Sequence, residues 1–116
     1  MADVTQYIHD KKMKAGIYSS AGSKTCAGFP GSLGFEGVDA QTFADWGFDY
    51  LKYDNCFNEG VPALKRYSDM AFAIDKSGRD MFYSICNWGN EQVTSWAGHF
   101  AQSWRTTQDI EIYKST

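Results

Sequence analysis

Residues 48–86 read FDYLKYDNCFNEGVPALKRYSDMAFAIDKSGRDMFYSIC, and the hydrophobic spacing changes twice within them. Phe48–Asp54 is short and aromatic-rich and reads as a strand. Pro62 stands where the first residue of a helix should be. Leu64, Tyr67, Ala71 and Ile74 then recur at helical spacing, so the sequence predicts a helix to Ser77 with these four on its apolar face. Gly78 is its C-terminal stop. Met81–Cys86 reads as the next strand. A strand-to-strand step of roughly 30 residues containing a helix is the length of a right-handed crossover between parallel strands.

The same alternation extends in both directions. Residues 3–12 read as a helix with Val4, Tyr7 and Ile8 on one face, and Lys14–Ser19 as a strand. A glycine- and proline-broken loop covers Ser20–Gly34. A short helix over Asp39–Ala44 turns Ala40, Phe43 and Ala44 inward. After Cys86 the sequence predicts a helix near Glu91–Gly98 and a fourth strand over Gln102–Arg105. The fold class is therefore α/β, a parallel sheet with alternating helices. Two architectures have this order: an open doubly wound sheet and part of a (βα)8 barrel. No GxGxxG or Walker loop follows any strand, which removes the main argument for the open sheet and for a nucleotide cofactor. A whole barrel needs about 250 residues, more than twice this chain.

Composition narrows the function classes. The chain has 116 residues, 43% apolar and 22% charged, with a formal net charge of −3. That balance suits a packed core. An acidic chain without a Lys/Arg block is a poor partner for nucleic acid. No apolar run approaches the roughly 18 residues of a membrane span, and the N-terminus lacks the parts of a signal peptide. Cys26, Cys56 and Cys86 form no CxxC pair, and His9 and His99 are far apart, so metal-ligand spacing is missing. The cysteines are either one disulfide with a free thiol, in an oxidising compartment, or three buried thiols.

In parallel α/β folds the chemistry collects at the carboxyl ends of the strands. Those ends carry Tyr18, then Lys52-Tyr53-Asp54, then Cys86-Asn87-Trp88, then Arg105 and Asp109. Lys52 and Asp54 are two apart on one strand and share a face. Inside a barrel each needs the other, or a ligand, to stay charged; on a sheet edge they are an ordinary solvated pair. Trp46 and Trp96 read as core residues. Trp88 reads equally as core and as a substrate platform, and the histidines as uninvolved.

Several segments together resemble one family. They are Lys14-Ala-Gly-Ile-Tyr18, Gly22-Ser-Lys-Thr-Cys26-Ala-Gly-Phe-Pro-Gly31, Asp39-Ala-Gln-Thr-Phe-Ala-Asp-Trp-Gly47, Tyr50-Leu-Lys-Tyr-Asp-Asn-Cys56, Tyr83-Ser-Ile-Cys-Asn-Trp-Gly89, and Trp104-Arg105 with Asp109. In order and spacing they are similar to the α-galactosidases of glycoside hydrolase family 27, over nearly the whole chain. The resemblance implies a (βα)8 barrel that removes terminal α-linked galactose with retention of configuration, without a cofactor or metal. It implies that residues 1–116 are the central part of one catalytic domain, about strands three to six. By the same resemblance Asp54 is the nucleophile and Asp109 the acid/base. Tyr18, Lys52 and Arg105 match sugar-contacting positions, Asn87 falls near the sugar 2-position, and a Cys26–Cys56 disulfide lies beside the site; Trp88 joins the candidate sugar contacts by its own place after a strand end. Cys86 is then a free thiol. The implied partner is an α-galactoside, and the implied setting is secreted or lysosomal/vacuolar.

The chemistry of a retaining glycosidase agrees with two carboxyl groups, one attacking the anomeric carbon and one protonating the leaving oxygen. The chain departs from the family's pattern in places. The tandem aspartates that bind the galactose 4- and 6-hydroxyls, and the last two strands, fall outside it. Asn87 stands where the family often has Glu near the sugar 2-position, so an α-N-acetylgalactosaminidase is the near alternative. A non-catalytic carbohydrate-binding or structural α/β fragment is the alternative from another class. The 116-residue chain by itself, with two open sheet edges, is expected to be inactive and poorly stable, and to self-associate through its exposed apolar face.

Overall fold

The computed structural model describes residues 1–112. The elements run α1 (Ala2–Asp10), β1 (Gly16–Ser20), α2 (Glu36–Trp46), β2 (Tyr50–Asp54), α3 (Ala63–Ser77), β3 (Phe82–Cys86) and β4 (Ser103–Trp104). The strands form one sheet in the order β1-β2-β3-β4. All neighbours are parallel, as crossovers through intervening helices require.

The register divides the sheet into two faces. Leu51, Tyr53, Tyr83 and Ile85 are buried with Phe43 of α2 and Tyr67 and Met70 of α3. The opposite face carries Tyr18, Lys52 and Ser84 in one row, and Ser20, Asp54 and Cys86 in the next. Tyr50 and Phe82 stack on this second face with ring centroids 5.5 Å apart. One face is thus the apolar helix-covered layer, and the other presents polar side chains at the strand ends.

Three local expectations are corrected. In α1, Val4 and Tyr7 are exposed, and Thr5 is the buried residue. Its hydroxyl hydrogen-bonds to the carbonyls of Ala2 and of Trp46 at the end of α2, so a polar contact docks this helix. In α3 the buried face is rotated by about one position: Ala63, Arg66, Tyr67, Met70, Ala73 and Ile74 face inward, while Leu64 is 48% exposed. Arg66 can occupy that face because its guanidinium finds acceptors there. The helix expected near 91–98 is instead two 3-10 turns, Val93–Ser95 and Ala97–His99. Glu91 and Gln92 adopt left-handed backbone just before them, which breaks the α-helical path.

Candidate active site

Asp54 closes β2 and is almost wholly buried. Its carboxylate is held on both oxygens. The Tyr18 hydroxyl donates to Oδ2 at 2.7 Å, and the Asn55 backbone N–H donates to Oδ1 at 2.9 Å. Its backbone carbonyl accepts from the Ala21 N–H at 2.8 Å and from the Tyr67 hydroxyl at 2.9 Å. Burial, then the hydrogen bond to Asp54 and its charge, push the Tyr18 phenol up to about 12, so it acts as a donor.

Lys52 does not pair with Asp54. Its ammonium lies 5.7 Å from the centroid of the Tyr18 ring, and among the described residues no carboxylate forms a salt bridge with it. The alternative of a mutually neutralised pair is therefore not realised. The ammonium remains available for a polar ligand on the face that Asp54 occupies.

Cys26 and Cys56 are disulfide-bonded, with Cα atoms 5.1 Å apart. The bond ties the loop after β1 to the loop after β2. Gly22 permits the approach: a Cβ there would lie 2.0 Å from the Cys56 carbonyl oxygen. The Ser20 hydroxyl donates to that same oxygen at 3.0 Å. Cys26 Sγ is 3.3 Å from Asp54 Oδ2, a packing contact, since a bridged sulfur carries no proton. The two sulfurs and an Asp54 oxygen all lie within 4.8 Å of one another. The sulfurs are spent on each other and offer no thiolate to a metal.

Cys86 is a free, buried thiol and the register partner of Asp54 on the neighbouring strand. Burial and the Asp54 charge raise its pKa, with Arg105 working in the opposite direction. Arg105 Nη1 lies 3.7 Å from Cys86 Sγ and donates to Asp109 Oδ1 at 2.5 Å. Asp54 and the Arg105–Asp109 pair thus flank one thiol at the carboxyl end of the sheet. Asp109 is 73% exposed.

Asn87 turns into the protein. It is fully buried, donates from Nδ2 to the Asn90 carbonyl at 2.7 Å, and leaves Oδ1 without a partner among the described residues. Trp88 follows in left-handed backbone and is partly exposed.

Sequence reasoning missed Asn55, Arg66 and Tyr67, which brace the site. Arg66 was legible in principle as the one charged residue within the rotated apolar stripe of α3.

The family model described as alpha galactosidase A (Melibiase_2) matches residues 1–115. The chain belongs to this family. It is 54% identical over 115 residues to an α-galactosidase, mel1, of Schizosaccharomyces pombe, a match covering 95% of this chain and 26% of that protein. The fold agrees with solved structures. Alpha-galactosidase I from Mortierella vinacea superposes with a TM-score of 0.93 at 46% identity, over 95% of this chain and 29% of that one. The Saccharomyces cerevisiae α-galactosidase solved with raffinose also gives 0.93, at 45% identity, over 96% and 26%. The four-stranded sheet is thus a partial (βα)8 barrel. The chain spans about a quarter of the length of the relatives it matches.

Proposed function

We propose that the chain supplies the central part, about strands three to six, of an α-galactosidase barrel that hydrolyses terminal α-D-galactosides with retention. The observation that carries this is the Asp54 carboxylate. It is fixed on both oxygens by neutral donors, at a strand's carboxyl end, on the same face as an ammonium that has no carboxylate partner among the described residues.

In this reading Asp54 attacks the anomeric carbon while Asp109 gives a proton to the departing oxygen. Water then attacks the glycosyl–Asp54 ester, returning a proton to Asp109 and releasing the Asp54 carboxylate. Lys52, Tyr18 and Arg105 hold the sugar hydroxyls, Trp88 borders the ring, and the Cys26–Cys56 bridge fixes the loops around it, while the buried Asn87 supports the loop after β3 from within. Asp109 must enter the cycle protonated, so Arg105 has to leave it for the sugar when substrate binds. The ligand class is an α-galactoside such as the raffinose in the yeast structure. The disulfide suits an oxidising compartment, secreted or vacuolar.

The test is a chimera in which this chain replaces the matching segment of one of those relatives. It should hydrolyse 4-nitrophenyl α-D-galactoside, and Asp54→Asn should reduce kcat on the order of 10⁴-fold or more. Asp109→Asn should be rescued in part by the best leaving groups, which need little protonation. Near-normal kcat in Asp54→Asn would refute the reading. Faster turnover of the 2-acetamido substrate would assign the N-acetylgalactosaminidase alternative.

A further inference from the structure

Arg66 is 1% exposed, and among the described residues its one ion pair is a long one: Glu91 Oε2 lies 3.8 Å from Nη2, on a half-exposed side chain. Burying a guanidinium is costly unless its N–H groups are satisfied, and here neutral acceptors do so. Nε donates to the Val61 carbonyl at 2.7 Å, Nη1 to the Ala21 carbonyl at 2.8 Å and Nη2 to Asn55 Oδ1 at 2.9 Å. The acceptors come from different loops. Ala21 opens the loop after β1, Asn55 opens the loop after β2, and Glu91 lies in the loop after β3. Only a planar fork of donors spans such a set.

Two of these contacts lead directly to Asp54. The Asn55 backbone N–H holds Asp54 Oδ1, and the Asn55 side chain is pinned by Arg66. Ala21 donates to the Asp54 carbonyl while its own carbonyl accepts from Arg66. The guanidinium also lies over the Tyr67 ring, 5.3 Å from its centroid, and the Tyr67 hydroxyl holds the same Asp54 carbonyl. Glu91 closes the arrangement: its Oε1 accepts the Ala63 N–H and caps the helix that carries Arg66.

We propose that Arg66 is a positioning residue for Asp54, which sets the direction of the carboxylate by clamping Asn55 and Ala21 to the start of α3. Its catalytic meaning rests on the reading of Asp54 as the nucleophile; the geometric claim does not. Removing Arg66 should leave the sheet intact, free Asn55 to swing, and loosen the bond to Oδ1.

The test uses the chimera in which this chain sits within a relative's complete barrel, observed by residue-resolved NMR. The Asn55 amide proton moves with pH as the carboxylate it is bonded to takes up a proton, so the size of that movement reports the bond. In Arg66→Met, an apolar side chain of similar length, the movement should fall by about half or more and exchange protection of that amide should drop about tenfold. The Leu51 and Ile85 amides, which lie within β2 and β3 and make none of the clamp's hydrogen bonds, should keep their protection. Arg66→Lys should restore part of the movement through one remaining donor. If Arg66→Met does not fold, Asn55→Ala leaves the arginine in place and cuts only the clamp, and the residue-55 amide should lose the same movement. An undiminished movement in either folded variant overturns the proposal, as does a loss of protection spread evenly over the sheet. Neither readout requires turnover, so the clamp and the glycosidase reading can fail separately.

Discussion

Replacing Cys26 and Cys56 together by alanine opens the link between the loops after β1 and β2. The closed loop has a sequence separation of 30, so the chain-entropy relation assigns the cross-link about 3–4 kcal/mol of stability through the unfolded state. The folded loops retain other ties. Ser23 N–H donates to the Phe57 carbonyl at 2.9 Å and the Ser20 hydroxyl reaches the Cys56 carbonyl at 3.0 Å. The loss is therefore expected in the unfolded state, with little change around Asp54. With unfolding entropy of about 2.1 cal/mol/K per residue, a chain of 116 residues should lose about 15 °C in Tm. Thermal unfolding followed by circular dichroism measures this. Reduction of the parent chain should reproduce the shift, Cys86→Ala should not, and thiol titration of the unreduced chain should find one free thiol. A shift under about 3 °C, with the bond verified in the parent, would refute the chain-entropy account.

Further expectations concern titration and the isolated chain. Burial works against the Asp49 charge, but the Ala15 N–H, His9 and Arg79 outweigh it and hold the pKa down from 3.8 to about 2. A depressed carboxylate stabilises the fold above its unfolded pKa and that stability is lost as pH falls through the folded value. Asp49→Asn should thus remove the part of the acid destabilisation that develops between about pH 4 and pH 2, read from urea unfolding at several pH values. The Tyr18 phenol, at about 12, should move back toward 10 in Asp54→Asn, as followed by NMR of its ring carbon; an unmoved value would contradict the hydrogen bond. The chain alone, with β1 and β4 as open edges and Tyr18, Tyr50 and Phe82 exposed on one face, should self-associate and show no hydrolysis of an aryl α-galactoside. A monomer by sedimentation with measurable turnover would contradict this.

The order of elements was legible because short aromatic and β-branched runs, helical stripes and glycine stops coincide from Lys14 to Cys86. The detail of each face was less so. Periodicity counts apolar residues and cannot see that Thr5 is buried for the carbonyl it reaches, or that Arg66 is buried for the carbonyls and amide it bridges. Glu91 and Gln92 give no propensity signal for left-handed backbone, so the sequence alone predicts a helix where the structure has turns before β4. At the site, the spacing of Lys52 and Asp54 correctly placed both on one face. Spacing left open whether they pair with each other, because that depends on Tyr18 from the adjacent strand taking the carboxylate.

The central claim is that Asp54 becomes covalently glycosylated during turnover. The direct measurement treats the chimera with a ring-fluorinated, activated α-galactosyl donor, whose slowed second step lets the glycosyl–enzyme accumulate. Proteolysis and peptide mass spectrometry then locate the sugar. The account predicts one glycosyl adduct, on the Asp54 carboxyl within the peptide that carries Tyr50–Cys56. An adduct on Asp109 or another carboxyl group, or turnover with inversion at the anomeric carbon and no adduct at all, would contradict it.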